Sequence, residues 1–176
     1  MAYKSKFMAW LEGQSEFMSI DIENSYTKIK IILEQYKSFS WTNNTGVNLL
    51  SIDDYDIYEQ VYGEDRFSFL ISFLSNDDMR SFKVRSKTAV QTKEFSELIQ
   101  AAVLKVKEYP KMGEEYYKIL DMKYLNYFDY NEDDILEQLE IERSTYYRKK
   151  KEAMYLLGYV LFGFTIPTYI IKANSA

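Results

Sequence analysis

The chain has 176 residues, a formal net charge of −5, and neither histidine nor cysteine. Their absence removes the Ser-His-Asp triad, the thiolate nucleophile and the metal sites that use these ligands. Only carboxylates and hydroxyls are left for catalysis, so we expect no enzyme, no metal site and no cofactor. Because the chain is acidic overall, binding to nucleic acid would require a local basic surface.

The composition favours a folded protein built from long regular elements. Hydrophobic residues make up 47% of the chain, whereas there are only 6 glycines and 2 prolines. The first 14 residues lack the uninterrupted apolar run and the small-residue cleavage site of a signal peptide. We therefore expect a cytoplasmic protein.

The first clear element is an amphipathic helix that begins at Ile22 and ends before Trp41. Apolar residues recur there at separations of three and four, which place them on one face of a helix. Lys28 and Lys30 fall off this face, and a loop-forming run at 41–46 follows the helix. The apolar face consists of Ile22, Tyr26, Ile29, Ile32, Leu33 and Tyr36.

Residues 67–85 allow two interpretations. Apolar residues alternate with serine or leucine from Phe67 to Phe73, and Phe82 and Val84 alternate with basic residues. With a turn at 75–78, this pattern is typical of a β-hairpin. A short apolar run does not fix its own period, so a pair of helices fits equally well. The expected fold class is mainly α, with an α+β fold as the alternative.

Another helical pattern covers residues 92–109 and stops before Pro110. Proline disfavours helical backbone in the residue that precedes it, so this position is the clearest internal boundary of the chain. We therefore divide the chain into regions 1–110 and 111–176, and expect the first region to serve dimerisation or partner binding. The apolar stripe of this helix consists of Phe95, Leu98, Ile99, Ala102, Val103 and Val106.

The second region has the order of a trihelical helix-turn-helix unit. Apolar residues between Glu114 and Leu125 predict its first helix. Asn131 is a good N-cap for the second helix, Asp134 is placed as in a capping box, and the helix would end near Leu139. A third, basic helix follows after a short break.

The third helix carries a basic face that suits DNA. Between residues 143 and 152, five basic residues stand against one acid, which gives a local charge of +4. At about 100° per residue, Arg143, Ser144, Tyr147, Arg148 and Lys151 share an arc of about 140°. Arginine can pair with a guanine edge, while lysine and hydroxyls bind phosphates. We therefore assign base edges to the two arginines and phosphates to the other three residues.

Two neighbouring residues lie off this arc. Thr145 is a weaker phosphate candidate, and Lys149 points towards the expected core, so its amine would have to extend back to water. The rival interpretation of the basic face is a solvated helix surface with no ligand. The core-facing side of the helix would consist of Tyr146, Ala153, Leu157 and Val160.

The segment RSTYYRKKKEA at 143–153 lies within ILEQLEIERSTYYRKKKEAMYLLG, which follows YYKILDMKYL. Over residues 113–163 the chain resembles the C-terminal part of the ArpU/RinA group of phage late-gene transcriptional regulators. That part resembles sigma-factor region 4. The resemblance implies a phage or prophage regulator that binds double-stranded DNA. We expect a homodimer, with host RNA polymerase or another host protein as a further partner.

The acidic second helix keeps another function open. Glu140 and Leu136 occupy positions where such units often have glycine and a small residue, respectively. Carboxylates that faced the duplex would repel its phosphates. The alternative is therefore a phage-encoded modulator of a host complex that keeps the helix-turn-helix scaffold without binding DNA. The carboxylates are those of Glu132, Asp133, Asp134, Glu137, Glu140 and Glu142.

The tail from Ala153 to Ile171 has 19 residues without a charge and follows the basic run RKKKE. This order is compatible with a membrane anchor. Gly158, Gly163 and Pro167 interrupt the tail, however, and its first half continues the third helix. We therefore expect it to pack on the N-terminal region or on a second subunit, and not to enter a membrane.

Overall fold

A computed structural model describes residues 5–44, 70–75, 78–126 and 128–175, and this part of the chain is mainly α-helical with no β-strand. The mainly α fold class is thus confirmed. The helices of these residues are α1 (Lys6–Phe17), α2 (Ile22–Asn44), α3 (Met79–Ala89), α4 (Lys93–Lys107), α5 (Gly113–Leu120), α6 (Glu132–Leu139), α7 (Arg143–Val160) and α8 (Ile166–Asn174). A π-helical turn at Asp121–Leu125 extends α5, and another at Leu161–Thr165 joins α7 to α8 without a break.

The β-hairpin interpretation is wrong in its described part. Residues 70–72 are helical, and α3 contains both Phe82 and Val84. Phe82 is buried and Val84 is 64% exposed, and the other buried positions of α3 follow Phe82 at helical spacing. The side chain of Asp78 accepts from the backbone N–H of Arg80, so a residue assigned to a hairpin turn instead begins a helix. The predicted positions 67–69 and 76–77 lie outside the described residues.

The apolar stripes of α2 and α4 are confirmed. In α2, Ile29, Ile32, Leu33 and Tyr36 are buried, although the helix runs on to Asn44 and so passes the predicted end before Trp41. All predicted stripe residues of α4 are buried, and the Thr92 hydroxyl caps its first turn. The sequence periodicity therefore identified both core-facing surfaces correctly.

Lys28 departs from the pattern because it is only 3% exposed. Its ammonium group donates to the backbone oxygens of Phe73, at 2.8 Å, and of Ser75. The amine also lies 5.4 Å from the ring centroid of Phe82 and 5.6 Å from that of Phe162. A buried charge needs such hydrogen bonds and ring faces to replace its hydration. Lys28 therefore fastens the short segment 70–75 to α2.

The second half of α7 lies at the centre of the main core. Its residues from Ala153 to Val160 are all buried, and α7 packs against α1, α2, α4 and α5. A helix that is buried on every side belongs to the interior of a protein. The core includes residues from both predicted regions, so it is continuous across Pro110. The two-region division itself stays a prediction.

The uncharged tail forms part of this packing. A continuous helix covers Arg143–Asn174 and is long and apolar enough to cross a membrane, a property that the core helix of a soluble protein can share. In this structure 61% of its most apolar window is buried by the rest of the chain. The tail contacts α4 through its π-helical turn, in agreement with the expected packing on the N-terminal region.

Gly113 and Gly13 offer a matched test of this packing. A Cβ on Gly113 would clash with the carbonyl oxygen of Lys107 and lie 2.7 Å from that of Val106, whereas nothing lies within 4 Å of a Cβ on Gly13. Gly113→Ala should lower the free energy of unfolding by about 1–3 kcal/mol. Gly13→Ala should raise it by about 0.5–1 kcal/mol, because glycine inside a helix is unfavourable.

Urea unfolding of both variants measures these changes as shifts of the midpoint at an unchanged m-value. Equal shifts of the same sign would contradict the close approach of α5 to the end of α4.

Candidate nucleic-acid interface

The candidate site lies on three consecutive helices, α5, α6 and the first half of α7. They enclose a small hydrophobic cluster that is separate from the main core. Tyr130, Leu136, Leu139 and Ile141 pack around its edge. Three consecutive helices thus occupy the positions predicted for the trihelical unit, and the cluster holds α6 beside the basic half of α7. The buried members of the cluster are Ile119, Met122, Ile135 and Tyr146.

The start of α6 is fixed by the predicted capping box. The Asn131 side-chain oxygen accepts from the backbone N–H of Asp134 at 2.9 Å, and the Asp134 carboxylate accepts from the backbone N–H of Asn131 at 3.1 Å. Glu132 and Asp133 occupy the first turn, where the helix dipole favours negative charge. The capping box therefore sets where α6 begins, and the helix dipole favours these two carboxylates in its first turn.

The turn between α6 and α7 depends on a left-handed residue. Glu140 has φ 53° and ψ 44°, a left-handed backbone conformation that residues with a Cβ rarely adopt. The backbone N–H of Ile141 donates to the oxygen of Leu136 at 3.2 Å, and that of Glu140 donates to the oxygen of Glu137 at 3.3 Å. Such bonds are typical of a Schellman ending. The turn therefore uses glutamate where its geometry favours glycine.

The predicted DNA-binding face of α7 points away from the core. Thr145 is the half-buried exception, in keeping with its position off the arc. The predicted opposite side, which includes Tyr146 and Leu157, is buried. The helical spacing therefore located the exposed surface of α7 correctly. The exposed residues are Arg143, Ser144, Tyr147, Arg148 and Lys151.

One part of this face is occupied by carboxylates of α6. Arg143 pairs through Nη1 with Glu132 and through Nη2 with Asp133, the second contact at 2.9 Å. The Tyr147 hydroxyl donates to the other oxygen of Glu132 at 2.6 Å. The negative charge of Glu132 raises the pKa of the Arg143 guanidinium, and the hydrogen bond to Glu132 raises the pKa of Tyr147. Arg143 and Tyr147 therefore already have protein partners.

The other part of the face has looser contacts. The Arg148 side chain is 54% exposed, and its guanidinium lies 3.8 Å from the carboxylate of the buried Glu152. Glu152 also accepts from the Tyr116 hydroxyl at 2.7 Å, and burial together with this bond raises the pKa of Tyr116. The Lys151 amine lies 6.0 Å from the ring centroid of Tyr155. Arg148 and Lys151 are both exposed residues.

The remaining two lysines of the basic run do not belong to the exposed face. Lys149 is buried and pairs with Glu115 on α5, as its position off the arc suggested. The Lys150 amine lies 5.4 Å from the ring centroid of Tyr146 and 5.2 Å from that of Tyr147, and burial lowers its pKa. The basic run therefore divides into ligand candidates and residues that hold α7 in place.

Sequence reasoning missed the bridging role of Glu132. It treated the acids of α6 as sources of repulsion, whereas Glu132 and Asp133 reach Arg143 directly. No local pattern of the sequence indicates this contact, because it depends on how α6 and α7 lie relative to each other. Among the described residues, no cluster of three or more acidic side chains is arranged to hold a metal ion.

An apolar groove lies away from the basic face. It has a volume of about 710 Å³ and runs between α4, the end of α7 and α8. Lys105, Glu108 and Lys172 stand at its polar edge, and Trp10 and Phe164 are partly exposed at its walls. Partly exposed aromatic side chains are typical of surfaces that bind other proteins.

Comparison of the chain with protein-family models, curated proteins and solved structures gives no match. The resemblance to the ArpU/RinA group therefore stays a prediction that depends on the residues at 113–163.

Glu140→Gly tests the geometry of the turn. A residue with a Cβ in the left-handed conformation destabilises the folded state by about 1–2 kcal/mol, and glycine removes this strain. Glycine also stabilises the unfolded chain by about 0.5–1 kcal/mol, because it has more conformational freedom there, and this offsets part of the effect. The variant should raise the free energy of unfolding by about 0.5–1 kcal/mol, measured by urea titration.

Glu137→Gly is the matched control, since it makes the same replacement inside α6 and should lower the free energy of unfolding by about 1 kcal/mol. If both glycine variants were destabilised alike, the left-handed turn at Glu140 would be wrong.

Proposed function

We propose that the protein is a phage or prophage transcriptional regulator that binds double-stranded DNA and places the first half of α7 in the major groove. The observation that carries the proposal is the exposed face of α7, which presents basic and hydroxyl side chains from a helix-turn-helix unit. In such units the last helix reads base edges while its neighbours cross the phosphate backbone. The small cluster of Ile119, Met122, Ile135 and Tyr146 supplies the rigid support that this geometry requires.

Each side chain has a role that follows from its chemistry. Arg143 and Arg148 contact base edges, since the planar guanidinium matches the two acceptors of guanine. Ser144, Tyr147 and Lys151 contact phosphates and set the orientation of α7. Half-buried Thr145 has a smaller part in phosphate binding.

The same proposal includes the setting in which the protein acts. It works in the cytoplasm, as a homodimer that places two copies of α7 on half-sites one helical turn apart. Host RNA polymerase is its further partner, in line with the resemblance of this unit to sigma-factor region 4.

A second candidate function is that of a modulator which binds a host protein and not DNA. It is favoured by the apolar groove beside α8 and by the carboxylates that engage Arg143 and Tyr147. If this function is correct, the protein should not bind duplex DNA at low salt. It should instead bind a specific host protein, and Phe164→Ser should abolish that binding.

Arg148→Ala is the direct test of DNA binding. Loss of a bidentate base contact should weaken binding to a preferred duplex by about 1–3 kcal/mol, and should relax the sequence preference at one position. Fluorescence anisotropy at two salt concentrations measures the change, with a duplex selected from a randomised pool by the wild-type protein. Lys151→Ala should weaken binding to all duplexes and reduce the salt slope by about 1.

Arg80→Ala is the matched control, because Arg80 is an exposed arginine on α3 and its loss changes the net charge equally. Since Arg148 lies near buried Glu152, the unfolding curve of each variant must accompany its binding curve. Equal affinity and equal salt dependence in Arg148→Ala and Arg80→Ala would exclude Arg148 from the interface.

A further inference from the structure

We propose that Glu132 is a specificity-determining residue: its carboxylate holds Arg143 and Tyr147 in the free protein and releases them only to a preferred DNA sequence. The inference rests on the proposed function, since it concerns the same face of α7. It goes further by assigning to an acidic residue, on the neighbouring helix, control over which duplexes are bound.

The geometry joins a proposed base-reading residue and a proposed phosphate-binding residue through one carboxylate. One oxygen of Glu132 pairs with Nη1 of Arg143, and the other accepts from the Tyr147 hydroxyl at 2.6 Å. Asp133 pairs with Nη2 of Arg143 at 2.9 Å. Two carboxylates therefore surround one guanidinium, and the local charge at the start of α7 is negative while these pairs last.

The position of Glu132 is built into the fold. The capping box between Asn131 and Asp134 begins α6 one residue earlier, and the positive end of the α6 dipole favours a carboxylate there. Ile135 anchors this first turn in the small hydrophobic cluster, opposite Tyr146 of α7. While the small cluster is packed, these contacts place the carboxylate beside Arg143.

The pairs can still exchange with DNA because they lie at the surface. The side chains of Arg143 and Asp133 are 57% and 82% exposed, and that of Glu132 is 28% exposed. Water therefore reaches both pairs through Arg143, and exposed ion pairs are weak. A phosphate or a guanine edge offers Arg143 the same planar arrangement of acceptors that a carboxylate offers. Exchange thus replaces one set of charge-assisted hydrogen bonds by another.

The exchange distinguishes DNA sequences because the complex with an arbitrary duplex depends on phosphate contacts, whereas the complex with a preferred sequence also has base contacts. Binding to an arbitrary duplex comes from neutralisation of its phosphates by basic side chains. Arg143 contributes little to this while its charge is neutralised by carboxylates, and the charge of Glu132 repels the phosphates. A preferred sequence adds base contacts that replace the carboxylate contacts of Arg143. Glu132 therefore lowers affinity for arbitrary duplexes more than for the preferred one.

Glu132→Gln tests the inference because it keeps the shape and one acceptor and removes the charge. Binding to a scrambled duplex should strengthen by roughly five- to tenfold at 0.1 M salt, the size of one added phosphate contact. The slope of log K against log salt for that duplex should steepen by about 0.9. Binding to the selected duplex should change less, so the ratio of the two affinities should fall.

Glu137→Gln is the matched control. Glu137 is an exposed carboxylate on the same helix, and within the described residues its side chain makes no ion pair. This variant should change the affinities for the scrambled and the selected duplex by the same factor, so their ratio should equal that of the wild type. Thermal unfolding of both glutamine variants confirms that they remain folded at the temperature of the binding measurement.

The outcomes separate the inference from the function on which it rests. A fall in the affinity ratio for Glu132→Gln alone supports the inference. If the wild type binds the selected duplex and the two glutamine variants behave alike, the inference is overturned while the proposed function stands. If no protein, including the wild type, binds any duplex at low salt, the proposed function fails and the inference fails with it.

Discussion

The burial of the second half of α7 is the constraint on which the rest of the structure depends. From Ala153 to Val160 every position of this helix is inside the main core, so its axis cannot tilt or slide without disturbing α2, α4 and α5. Because the helix is continuous, its first half leaves the core in a fixed direction. The candidate interface is thus the exposed end of the central core element, and its precision comes from packing some distance away.

Three buried charged side chains each have a polar partner on a different element. Lys28 binds backbone oxygens of the segment 70–75, Lys149 pairs with Glu115, and Glu152 accepts from Tyr116. Each contact joins elements that are distant in sequence, and each satisfies a group whose desolvation would otherwise be costly. The polar contacts of the interior therefore join helices that are distant in sequence, while the apolar contacts supply most of the stabilisation.

Local patterns in the sequence predicted the stripes of α2 and α4, the capping box at Asn131 and the exposed arc of α7, because all of these depend on neighbours within a turn or two. Of the two interpretations of residues 67–85, the hairpin is wrong in its described part, since two or three alternations do not distinguish a strand from a helix. Burial of Lys28 and the bridging role of Glu132 could not be predicted, because their partners come from other elements. Both required the relative placement of helices, which no local pattern contains.

The separation of the small cluster from the main core has a consequence for the dynamics of the protein. Ile135 is the only fully buried residue of α6, whereas α7 has anchors in both hydrophobic clusters. Opening of the small cluster would thus release α6 while leaving α7 folded, and such partial openings set the exchange rates of backbone amides. Amide hydrogens of α6 should consequently exchange with solvent deuterium faster than those of Ala153–Val160.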